Sequence, residues 1–591
     1  MDSISTRVEK RPVEERHFVT DDGQRLFFRY WPATDAQATP RAIVIFHRGH
    51  EHSGRVTHIV DEINLPGYAF FAWDARGHGR SPGERGFSPS LATSVRDIQV
   101  FVQHIISEFG IAEENLAVMA QSVGAVVAAT WVHDYAPRIR AIIFASPAFK
   151  VRLYAPFARS GLALWRRLRG HFFVNSYVKA HYLTHDPARI KSYNDDPLIS
   201  RPISVDILLS LYSTAERVVA DASAITVPTQ LLISGSDWVV HKGPQYRFFE
   251  RLGSVVKQKH ELPGFFHDTF GEKDRAIALK HARTFIEQVF SAPHTRPDLR
   301  NADVSGHTVE ERDRLAAPLS LFSPRGFYWL FVRLGLRLGA SISEGIRIGR
   351  GLGYDSGSML DYVYRNTPTG RTAIGRLVDK QYLDAIGWRG IRQRKVHLEA
   401  MIELAARRLR ADGKSVHIVD IAAGHGRYVL DAISHLAPAP DSVTLRDYSE
   451  VNVAEGRRLI ASHGMQQTAQ FVHGDAFDEH GLAALSPQPS VAIASGLWEL
   501  FSENELINRS LAGLARALPT GSYLIYTGQP WHPQLEFIAR ALTSHRQGQP
   551  WVMRRRTQEE LDQLVCRAGF SKVDQRIDEW GIFTVSLAQR M

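Results

Sequence analysis

The sequence predicts an α/β protein built from two successive units, each with a mostly parallel sheet. In both halves, short apolar runs alternate with amphipathic helical patterns, and this alternation is typical of β-α-β units. The chain has 591 residues, more than one hydrophobic core usually serves, so roughly two to four domains are expected. Its 44% hydrophobic and 23% charged residues are typical of a globular protein.

The apolar runs place the expected strands along the chain. In the first half the candidate strands occupy residues 42–46, 68–73, 116–120, 141–145, 229–234 and 257–262. In the second half they occupy residues 415–421, 442–447, 469–473, 491–495 and 522–527, followed by a C-terminal pair near Lys572 and Phe583.

The segments between the strands predict the domain boundaries. We expect the first α/β domain over residues 12–292 and the second over residues 411–591, the latter preceded by a helical lead-in over residues 319–410. Residues 293–318 are polar, contain proline and many charges, and lack periodicity, which indicates a linker. Roughly 80 residues separate the fourth and fifth strands of the first half, far more than an ordinary crossover. Residues 147–226 are therefore predicted to form an inserted cap.

The composition excludes several classes of protein. Cys566 is the one cysteine in the sequence, so a disulfide framework and a cysteine-based zinc site are excluded, no metal site is predicted, and a reducing, cytoplasmic location is expected. The first eleven residues have no apolar stretch after their charges, so we expect no secretory signal. The most apolar segment, residues 327–342, contains two arginines and is too short and too polar to span a bilayer, although it could lie on a surface.

The net charge of +9 is concentrated in two segments. Residues 147–192 carry nine Lys or Arg and one acid, and residues 323–410 carry sixteen and seven. Both segments also hold many aromatic and aliphatic residues, a pattern that suits an anionic lipid surface or an anionic substrate. Ordinary solvated helix faces would have the same composition, and both interpretations stay open. Peripheral contact with the inner face of the membrane is thus an expectation, whereas nucleic acid is not, because no nucleic-acid-binding motif accompanies the charge.

A candidate nucleophile lies between a predicted strand and a helix rich in small residues. Ser122 occurs in Ala120-Gln121-Ser122-Val123-Gly124, the strand-turn-helix setting that exposes a serine hydroxyl. Earlier in the chain, a tight turn follows the first strand at His47-Arg48-Gly49. The backbone amides of Gly49 and Val123 could together form an oxyanion hole.

A candidate acid and base follow in the order that this arrangement requires. Asp237 lies in the loop after the fifth predicted strand and His267 in the loop after the sixth, so His267 would take the proton of Ser122 and Asp237 would hold the imidazolium. Asp268 competes with Asp237 for this role, although its position beside the base favours a solvated carboxylate or one that fixes the loop. The histidines at positions 47, 50, 52 and 78 are expected to orient loops.

These residues resemble the monoglyceride lipase and lysophospholipase branch of the α/β-hydrolases. The stretch His47–Arg55 is similar to that branch's His-Gly-x-Gly-Glu-His-Ser-Gly-Arg turn, and residues 74–81 are similar to its Asp-x-Arg-Gly-His-Gly-x-Ser segment. The resemblance runs from about residue 12 to residue 290. It implies an α/β-hydrolase fold with an inserted helical cap and an esterase that acts on a lipid-like acyl ester, with a peptidase as the weaker alternative. Arg48 and Ala120 replace glycines of the pattern, and Arg48 could favour an anionic substrate.

The second half contains a nucleotide-type turn. Residues 416–428 read as a strand, a turn with Gly424 and Gly426, and the start of a helix, and such glycines permit close approach of a ligand to the backbone. Asp447 ends the next strand, where its carboxylate can accept ribose hydroxyls. Asp475 ends the third strand, where it can meet an adenine amine.

This arrangement resembles class I S-adenosylmethionine-dependent methyltransferases, which have a Rossmann-like fold. The resemblance implies that Asp420, Ala422, Gly424 and Gly426 lie at the methionine end of S-adenosylmethionine, that Asp447 contacts the ribose, and that Asp475 with Ala476 contacts the adenine. Residues 495–501 should face the transferred methyl group, and the lead-in could cover the acceptor pocket. The whole chain is similar to bacterial fusions of an α/β-hydrolase and a class I methyltransferase. The alternative is an esterase whose second half is a non-catalytic module that senses the cofactor or docks on a membrane.

Overall fold

The computed structural model describes residues 10–35, 37–154, 157–546 and 548–591. The chain forms two compact units, divided between Pro297 and Asp298. Both contain a mixed sheet with helices, so the predicted α/β class is confirmed for each unit.

The first unit is built on an eight-stranded sheet in the order β1-β2-β4-β3-β5-β6-β9-β10. Its first two strands are antiparallel to their neighbours, and the strands from β4 to β10 run parallel. The eight strands are β1 (Glu14–Val19), β2 (Arg25–Trp31), β3 (Ala42–Phe46), β4 (Ala69–Trp73), β5 (Leu116–Gln121), β6 (Ala141–Ala145), β9 (Thr229–Ser234) and β10 (Lys257–Leu262).

The helices of the first unit fall into two groups. The sheet is flanked by α1 (Thr57–Glu62), α2 (Leu91–Phe109), α3 (Val123–Tyr135), α7 (Lys242–Arg251) and α8 (Ala276–Ser291). The cap between β6 and β9 contains α4 (Ala158–Arg169), α5 (Pro187–Asp195), α6 (Val205–Ala220) and the short antiparallel pair β7 (Phe173–Asn175) and β8 (Pro202–Ser204).

The predicted strands of the first half all exist, but the sequence did not indicate the N-terminal pair. The central strands β3 and β4 are buried throughout, which explains their continuous apolar runs. Five of the six residues of β1 are exposed, because it lies at the edge of the sheet. An exposed edge strand lacks the apolar run that marks a buried one.

The second unit is built on a seven-stranded sheet in the order β13-β12-β11-β14-β15-β17-β16. The five strands from β13 to β15 are parallel, and β17 is antiparallel to both β15 and β16. The strands are β11 (His417–Asp420), β12 (Ser442–Asp447), β13 (Ala469–His473), β14 (Val491–Ala494), β15 (Tyr523–Gly528), β16 (Phe570–Ile577) and β17 (Thr584–Arg590).

Twelve helices lie within the described part of the second unit. Six precede the sheet: α9 (His307–Ala316), α10 (Pro324–Gly339), α11 (Glu344–Leu352), α12 (Gly357–Arg365), α13 (Ala373–Leu383) and α14 (Ile386–Ala411). Six lie between or beside the strands: α15 (Arg427–Ser434), α16 (Glu450–Ser462), α17 (Glu479–Ala483), α18 (Asn504–Ala517), α19 (Leu535–Ala541) and α20 (Gln558–Arg567). The apolar face of α14 packs on the sheet core through Leu398, Met401 and Ile402.

The segment predicted to be a linker is partly folded onto the second unit. Residues 307–316 form α9, and Val309 and Leu315 are buried. Upstream of α9, the backbone amide of Leu299 donates to Gln563 Oε1 at 2.8 Å. The segment has many charged residues and few apolar ones, so its sequence shows no helical periodicity and predicted a linker.

In the described ranges, no helix combines the length and the apolar character needed to cross a membrane.

Candidate active sites

Ser122 lies at a strained turn between β5 and α3. Its backbone dihedrals are φ 55° and ψ −116°, a region that non-glycine residues rarely occupy. The turn is tight because α3 passes close to β3: a Cβ atom on Gly124 would lie 2.3 Å from the His47 carbonyl oxygen. A glycine is therefore required at position 124, whereas Ala120 fits within β5 without distortion. This turn presents the Ser122 hydroxyl at the carboxyl ends of the parallel strands.

The structure brings the three predicted catalytic residues together. His267 Nε2 lies 2.8 Å from Ser122 Oγ, and His267 Nδ1 lies 2.8 Å from Asp237 Oδ2. All three side chains are buried. The other carboxylate oxygen of Asp237 accepts hydrogen bonds from the amides of Val239 and Val240.

The electrostatics of Asp237 suit a group that stays ionised beside an imidazole. Burial alone would raise its pKa, but the charge of His267 and the hydrogen bonds from His267 and from two backbone amides hold the pKa below its ordinary value. An ionised Asp237 fixes the His267 tautomer with Nδ1 protonated, so Nε2 is free to accept the Ser122 proton.

The residues of the predicted oxyanion hole are adjacent. A Cβ on Gly49 would lie 3.1 Å from Val123 Cγ2, and both residues line one cavity of about 70 Å³. Ile207, on helix α6 of the cap, lines the same cavity. The cap therefore supplies part of the wall beside the predicted oxyanion hole.

Arg48 does not face this cavity as a free cation, which corrects the expectation that it selects an anionic substrate. Its Nε and Nη2 donate to the two Glu51 carboxylate oxygens at 2.8 and 2.7 Å. Nη2 also lies 3.5 Å from Asp268 Oδ2, and only 4% of the residue is exposed. The guanidinium is thus neutralised by two buried carboxylates and stabilises the turn.

Asp268 is buried rather than solvated, and it fixes the loop of the catalytic base. Its Oδ2 accepts a hydrogen bond from Arg189 Nε at 2.7 Å and its Oδ1 accepts one from Gln121 Nε2 at 3.1 Å. Although burial would raise its pKa, the charges of Arg189 and Arg48 hold that pKa well below the usual range. Since Arg189 belongs to the cap helix α5, this ion pair also ties the cap to the catalytic loop.

The histidines near the oxyanion turn orient loops, as expected from the sequence. His47 Nε2 accepts a hydrogen bond from the Ala75 amide at 3.0 Å, so its Nδ1 donates to the Arg48 carbonyl at 2.7 Å. Burial lowers the pKa of His47, which keeps it neutral. His52 Nε2 lies 3.0 Å from the Asp196 carboxylate of the cap.

In the second unit, a glycine turn follows β11. Gly424 and Gly426 have φ values of 58° and 78°, in the left-handed region that favours glycine. A Cβ on Gly426 would lie 2.4 Å from Leu445 Cδ1, so a side chain is also excluded there by packing. The Gly424 amide donates to Asp447 Oδ2 at 2.9 Å, and this bond joins the turn to the end of β12.

Six of the seven predicted cofactor residues line one cavity of about 590 Å³. They are Ala422, Gly424, Gly426, Asp447, Asp475 and Ala476. This volume falls within the range of about 300–1,000 Å³ that is typical of small-molecule sites.

Asp420 supports the turn from behind rather than facing the cavity. It is fully buried, and its two carboxylate oxygens accept hydrogen bonds from the Tyr428 hydroxyl and the Ala422 amide. Burial raises the pKa of Asp420 to about 7, against the opposing effect of these hydrogen bonds. The expectation that Asp420 lines the methionine end is therefore corrected.

The lead-in contributes to the same cavity, which the sequence only suggested. Gly357, Asp361 and Tyr364 of α12 line it. Asn452 of α16 also lines it and donates to Asp447 Oδ1 at 3.0 Å. Sequence reasoning missed Asn452, although its position five residues after Asp447, at the start of a helix, is a usable signal.

The cavity's chemistry fits S-adenosylmethionine. Asp447 and Asp475 offer carboxylate oxygens to hydroxyl and amine groups, the glycine turn allows close backbone approach, and Phe477 and Phe501 supply apolar rings. These are the contacts that a nucleoside with a charged, partly apolar tail requires.

A family model described as "Putative methyltransferase" matches residues 282–590, more than half of the chain. The chain belongs to this methyltransferase family. A second family model, described as "Serine aminopeptidase, S33", matches residues 37–274. The protein thus joins an α/β-hydrolase to a unit of the methyltransferase family.

Relatives of known sequence match either the whole chain or its first unit. The uncharacterized protein YnbC of Escherichia coli (strain K12) is 56% identical over 576 residues, 98% of each chain. The monoacylglycerol lipase of Mycolicibacterium smegmatis is 24% identical over 281 residues, 46% of this chain and 96% of the lipase. The phospholipase YtpA of Bacillus subtilis is 27% identical over 252 residues, 42% of this chain and 95% of the phospholipase.

One solved structure, the monoacylglycerol lipase of Paleococcus ferrophilus, aligns over 48% of this chain and 100% of that chain with 23% identity and a TM-score of 0.39. The match to the second family model and the lipase relatives, taken without that structure, show that the first unit is a lipase-like serine hydrolase.

The unit of the methyltransferase family also contains a second cavity, of about 180 Å³. The predicted methyl-facing segment divides between the two cavities. Ser495 and Leu497 line only the larger cavity of about 590 Å³, Glu499 lines the second cavity, and Gly496 and Leu500 line both.

Proposed function

We propose that the first unit hydrolyses carboxylic esters of lipid-like substrates, such as monoacylglycerols or lysophospholipids. The observation that carries this proposal is the continuous hydrogen-bonded arrangement of Ser122, His267 and Asp237, at 2.8 Å for each pair. The lipase relatives support the acyl-ester substrate class.

The geometry supports an acyl-enzyme mechanism. His267 Nε2 takes the Ser122 proton as Oγ attacks the ester carbonyl, and Asp237 stabilises the resulting imidazolium. The amides of Gly49 and Val123 donate to the oxyanion that develops on the carbonyl oxygen. His267 then gives its proton to the departing alcohol, and water releases the acyl group by the same route.

Replacing the nucleophile tests this activity. We expect Ser122→Ala to lower the turnover of a monoacylglycerol by at least about 10³-fold while the fold is retained. Full turnover by this variant would reject the assignment. A panel of aminoacyl amides run beside the monoacylglycerol decides between the esterase and the peptidase that the second family description suggests.

We also propose that the second unit binds S-adenosylmethionine and transfers its methyl group. S-adenosylmethionine, when bound, supplies an electrophilic methyl group on its sulfonium sulfur. In this chain, Asp447 and Asp475 would hold its ribose and adenine, and the turn containing Gly424 and Gly426 would lie against its methionine part. The family match and the fit of the cavity support this proposal.

Calorimetric titration of the full chain with S-adenosylmethionine tests the cofactor site. We expect micromolar binding that is lost in Asp447→Ala and kept in Asp441→Ala, since Asp441 lies before β12 rather than in the cavity. Absence of binding would make the second unit a scaffold. Binding without methyl transfer to any acceptor would favour a module that only senses the cofactor.

We further propose that the protein is cytoplasmic and contacts the inner face of the membrane through exposed amphipathic helices. On α10, six large apolar side chains are at least 43% exposed: Phe327, Tyr328, Leu330, Phe331, Leu334 and Leu338. Phe322, just before this helix, is fully exposed. Arg325, Arg333 and Arg337 accompany them, and a basic aromatic helix of this kind suits an anionic interface.

Helix α4 of the cap has the same character. Leu164, Trp165 and Leu168 are at least 50% exposed, among four arginines. Flotation with vesicles of phosphatidylglycerol and phosphatidylcholine tests the contact. We expect binding to the anionic vesicles that falls in a Phe327→Ser, Phe331→Ser variant, and equal binding by that variant would reject the role of α10.

A further inference from the structure

The second cavity of the methyltransferase-family unit adjoins the cofactor cavity. The two cavities share five lining residues: Asp355, Leu360, Arg394, Gly496 and Leu500. The rest of the second cavity is mostly apolar and aromatic, with Trp388, Phe537 and Phe583 among its lining residues. A molecule bound there would therefore lie beside the cofactor in an apolar chamber.

Arg394 is a buried cation at the junction of the two cavities. Only 3% of it is exposed, and its Nε has no hydrogen-bond partner. The guanidinium packs 5.1 Å from the Phe583 ring centre, and Nη1 lies 3.9 Å from Glu499 Oε1. A buried N–H group without an acceptor is unfavourable, so this group is suited to a ligand that supplies one.

Glu499, which lies near Arg394, has a carboxylate oxygen without a hydrogen-bond donor. The Thr527 hydroxyl donates to its Oε1 at 2.6 Å, and the Thr527 oxygen in turn accepts the Gly496 amide at 2.8 Å. These bonds fix the carboxylate, whereas its Oε2 is buried without a partner. Burial raises the pKa of Glu499, against the charges of Arg394 and Arg556 and the Thr527 hydrogen bond, so its basicity is increased.

Two of the other polar side chains that line the chamber already have hydrogen-bond partners. The Asp355 carboxylate accepts from the Ser544 hydroxyl at 2.6 Å and from the His545 amide at 2.5 Å. His532 lines the cavity, and its Nδ1 accepts a hydrogen bond from the Gln534 amide at 3.0 Å. Burial lowers the pKa of His532 to about 4, so the imidazole is neutral under ordinary conditions. Three polar atoms of the lining residues are buried without a hydrogen-bond partner: a cationic donor at Arg394 Nε, a neutral donor at Trp551 Nε1 and a carboxylate oxygen at Glu499 Oε2.

We propose that the second cavity binds the methyl acceptor and that this acceptor is an apolar molecule with a hydroxyl group, which accepts from Arg394 and donates to Glu499. The inference rests on the proposed methyl transfer and names its substrate class. A hydroxyl group is both a donor and an acceptor, so it can accept a hydrogen bond from Arg394 Nε and donate one to Glu499 Oε2. A carboxylate would be repelled by Glu499, and an ammonium would be repelled by Arg394.

The same contacts account for the transfer step. As the hydroxyl oxygen forms its bond to the methyl carbon, Glu499 Oε2 takes the hydroxyl proton, the carbon–sulfur bond breaks, and its electron pair remains on sulfur. The products are a methyl ether, the neutral thioether and a protonated Glu499. Arg394 stabilises the oxygen while it loses its proton.

Binding of three matched probes tests the acceptor class without any turnover. Octan-1-ol, octanoate and octylamine are titrated separately into the full chain saturated with S-adenosylhomocysteine. We expect octan-1-ol to bind at least tenfold more tightly than the other two. Tighter binding of octanoate or octylamine, or binding of none of the three, would overturn the inference.

Substitutions of Glu499 and Arg394 test the roles of these two residues. With S-adenosylmethionine as donor, we expect formation of 1-methoxyoctane to fall at least about 10²-fold in Glu499→Gln, because the isosteric amide cannot take the proton. Affinity for S-adenosylmethionine should stay within a factor of two. Arg394→Lys should weaken octan-1-ol binding. Glu403→Gln and Arg407→Gln, which replace exposed residues of α14, serve as controls.

The outcomes separate this inference from the proposed function. If S-adenosylmethionine does not bind the unaltered chain, the proposed methyl transfer fails and this inference fails with it. If it binds but Glu499→Gln keeps the wild-type rate of ether formation, or no ether forms at all, only the assignment of the acceptor and its base fails.

Discussion

The strained backbone of Ser122 gives a prediction that separates catalysis from stability. The residue has φ 55° and ψ −116°, where every residue with a Cβ atom is strained and glycine is not. Ser122→Ala and Ser122→Gly both remove the hydroxyl and its hydrogen bond to His267. Only the glycine variant also relieves the backbone strain.

The expected difference follows from two opposing effects. Strain at such a position is about 1–3 kcal/mol, and a glycine loses about 0.5–1 kcal/mol more conformational free energy on folding than an alanine. We therefore expect the first unit to be about 1 kcal/mol more stable in Ser122→Gly than in Ser122→Ala. For a unit of about 300 residues, that difference raises the melting temperature by about 1.5–2 °C.

Scanning calorimetry of the full-length variants measures this difference. The transition of the first unit is identified as the one that moves when the wild-type serine is labelled with a fluorophosphonate. Ser107 provides a control, because it is exposed on α2, where glycine should be less stable than alanine. The reasoning is refuted if Ser122→Gly is no more stable than Ser122→Ala, or if either variant retains ester turnover.

Three further outcomes are expected. Asp237→Asn should lower the turnover of p-nitrophenyl butyrate by about 10³–10⁴-fold, because the neutral asparagine amide does not stabilise the imidazolium of His267 as the carboxylate does. Arg48→Leu should reduce the free energy of unfolding in urea by about 1.5–3 kcal/mol, since the buried Glu51 and Asp268 carboxylates lose one of their cationic partners and keep Arg55 and Arg189, without changing the ratio of kcat/KM between neutral and anionic esters. Asp420, with a pKa of about 7 against an ordinary 3.8, keeps a proton in the native state that the unfolded chain releases. The stability of the second unit should therefore fall by up to about 4 kcal/mol between pH 4 and 7 and level off above, and urea unfolding of Asp420→Asn should lack this fall.

The sequence predicted the buried strands and the order of the catalytic residues because both leave local patterns. A strand buried on both faces is apolar along its length, as in β3, and a loop after such a strand lies at the end of the sheet where sites form. Ser122 and Asp237 follow buried strands of this kind, β5 and β9, whereas His267 follows the polar edge strand β10. The exposed strand β1 has no such pattern and was missed.

Contacts between distant positions could not be predicted in the same way. Arg48 meets Asp268 across 220 positions of the sequence, and Arg189 of the cap meets the same carboxylate. Because the sequence does not show these partners, an arginine beside an oxyanion turn is interpreted as a group that binds substrate. Asp420 reads as a ligand-facing carboxylate for a similar reason, since its motif does not show that the Tyr428 hydroxyl covers it.

The two arginines that matter most for function differ in whether their buried guanidinium groups have hydrogen-bond partners. Arg48 and Arg394 are almost equally buried, at 4% and 3% exposure. Arg48 makes two hydrogen bonds of less than 3 Å to Glu51, so its charge stabilises a turn and leaves nothing for a ligand. Arg394 has an unpartnered Nε, and Glu499, whose Oε1 lies 3.9 Å from Arg394 Nη1, has an unpartnered Oε2. Because a fold gains nothing from leaving two such groups unpaired in an apolar chamber, their arrangement is explained by a ligand that pairs with both.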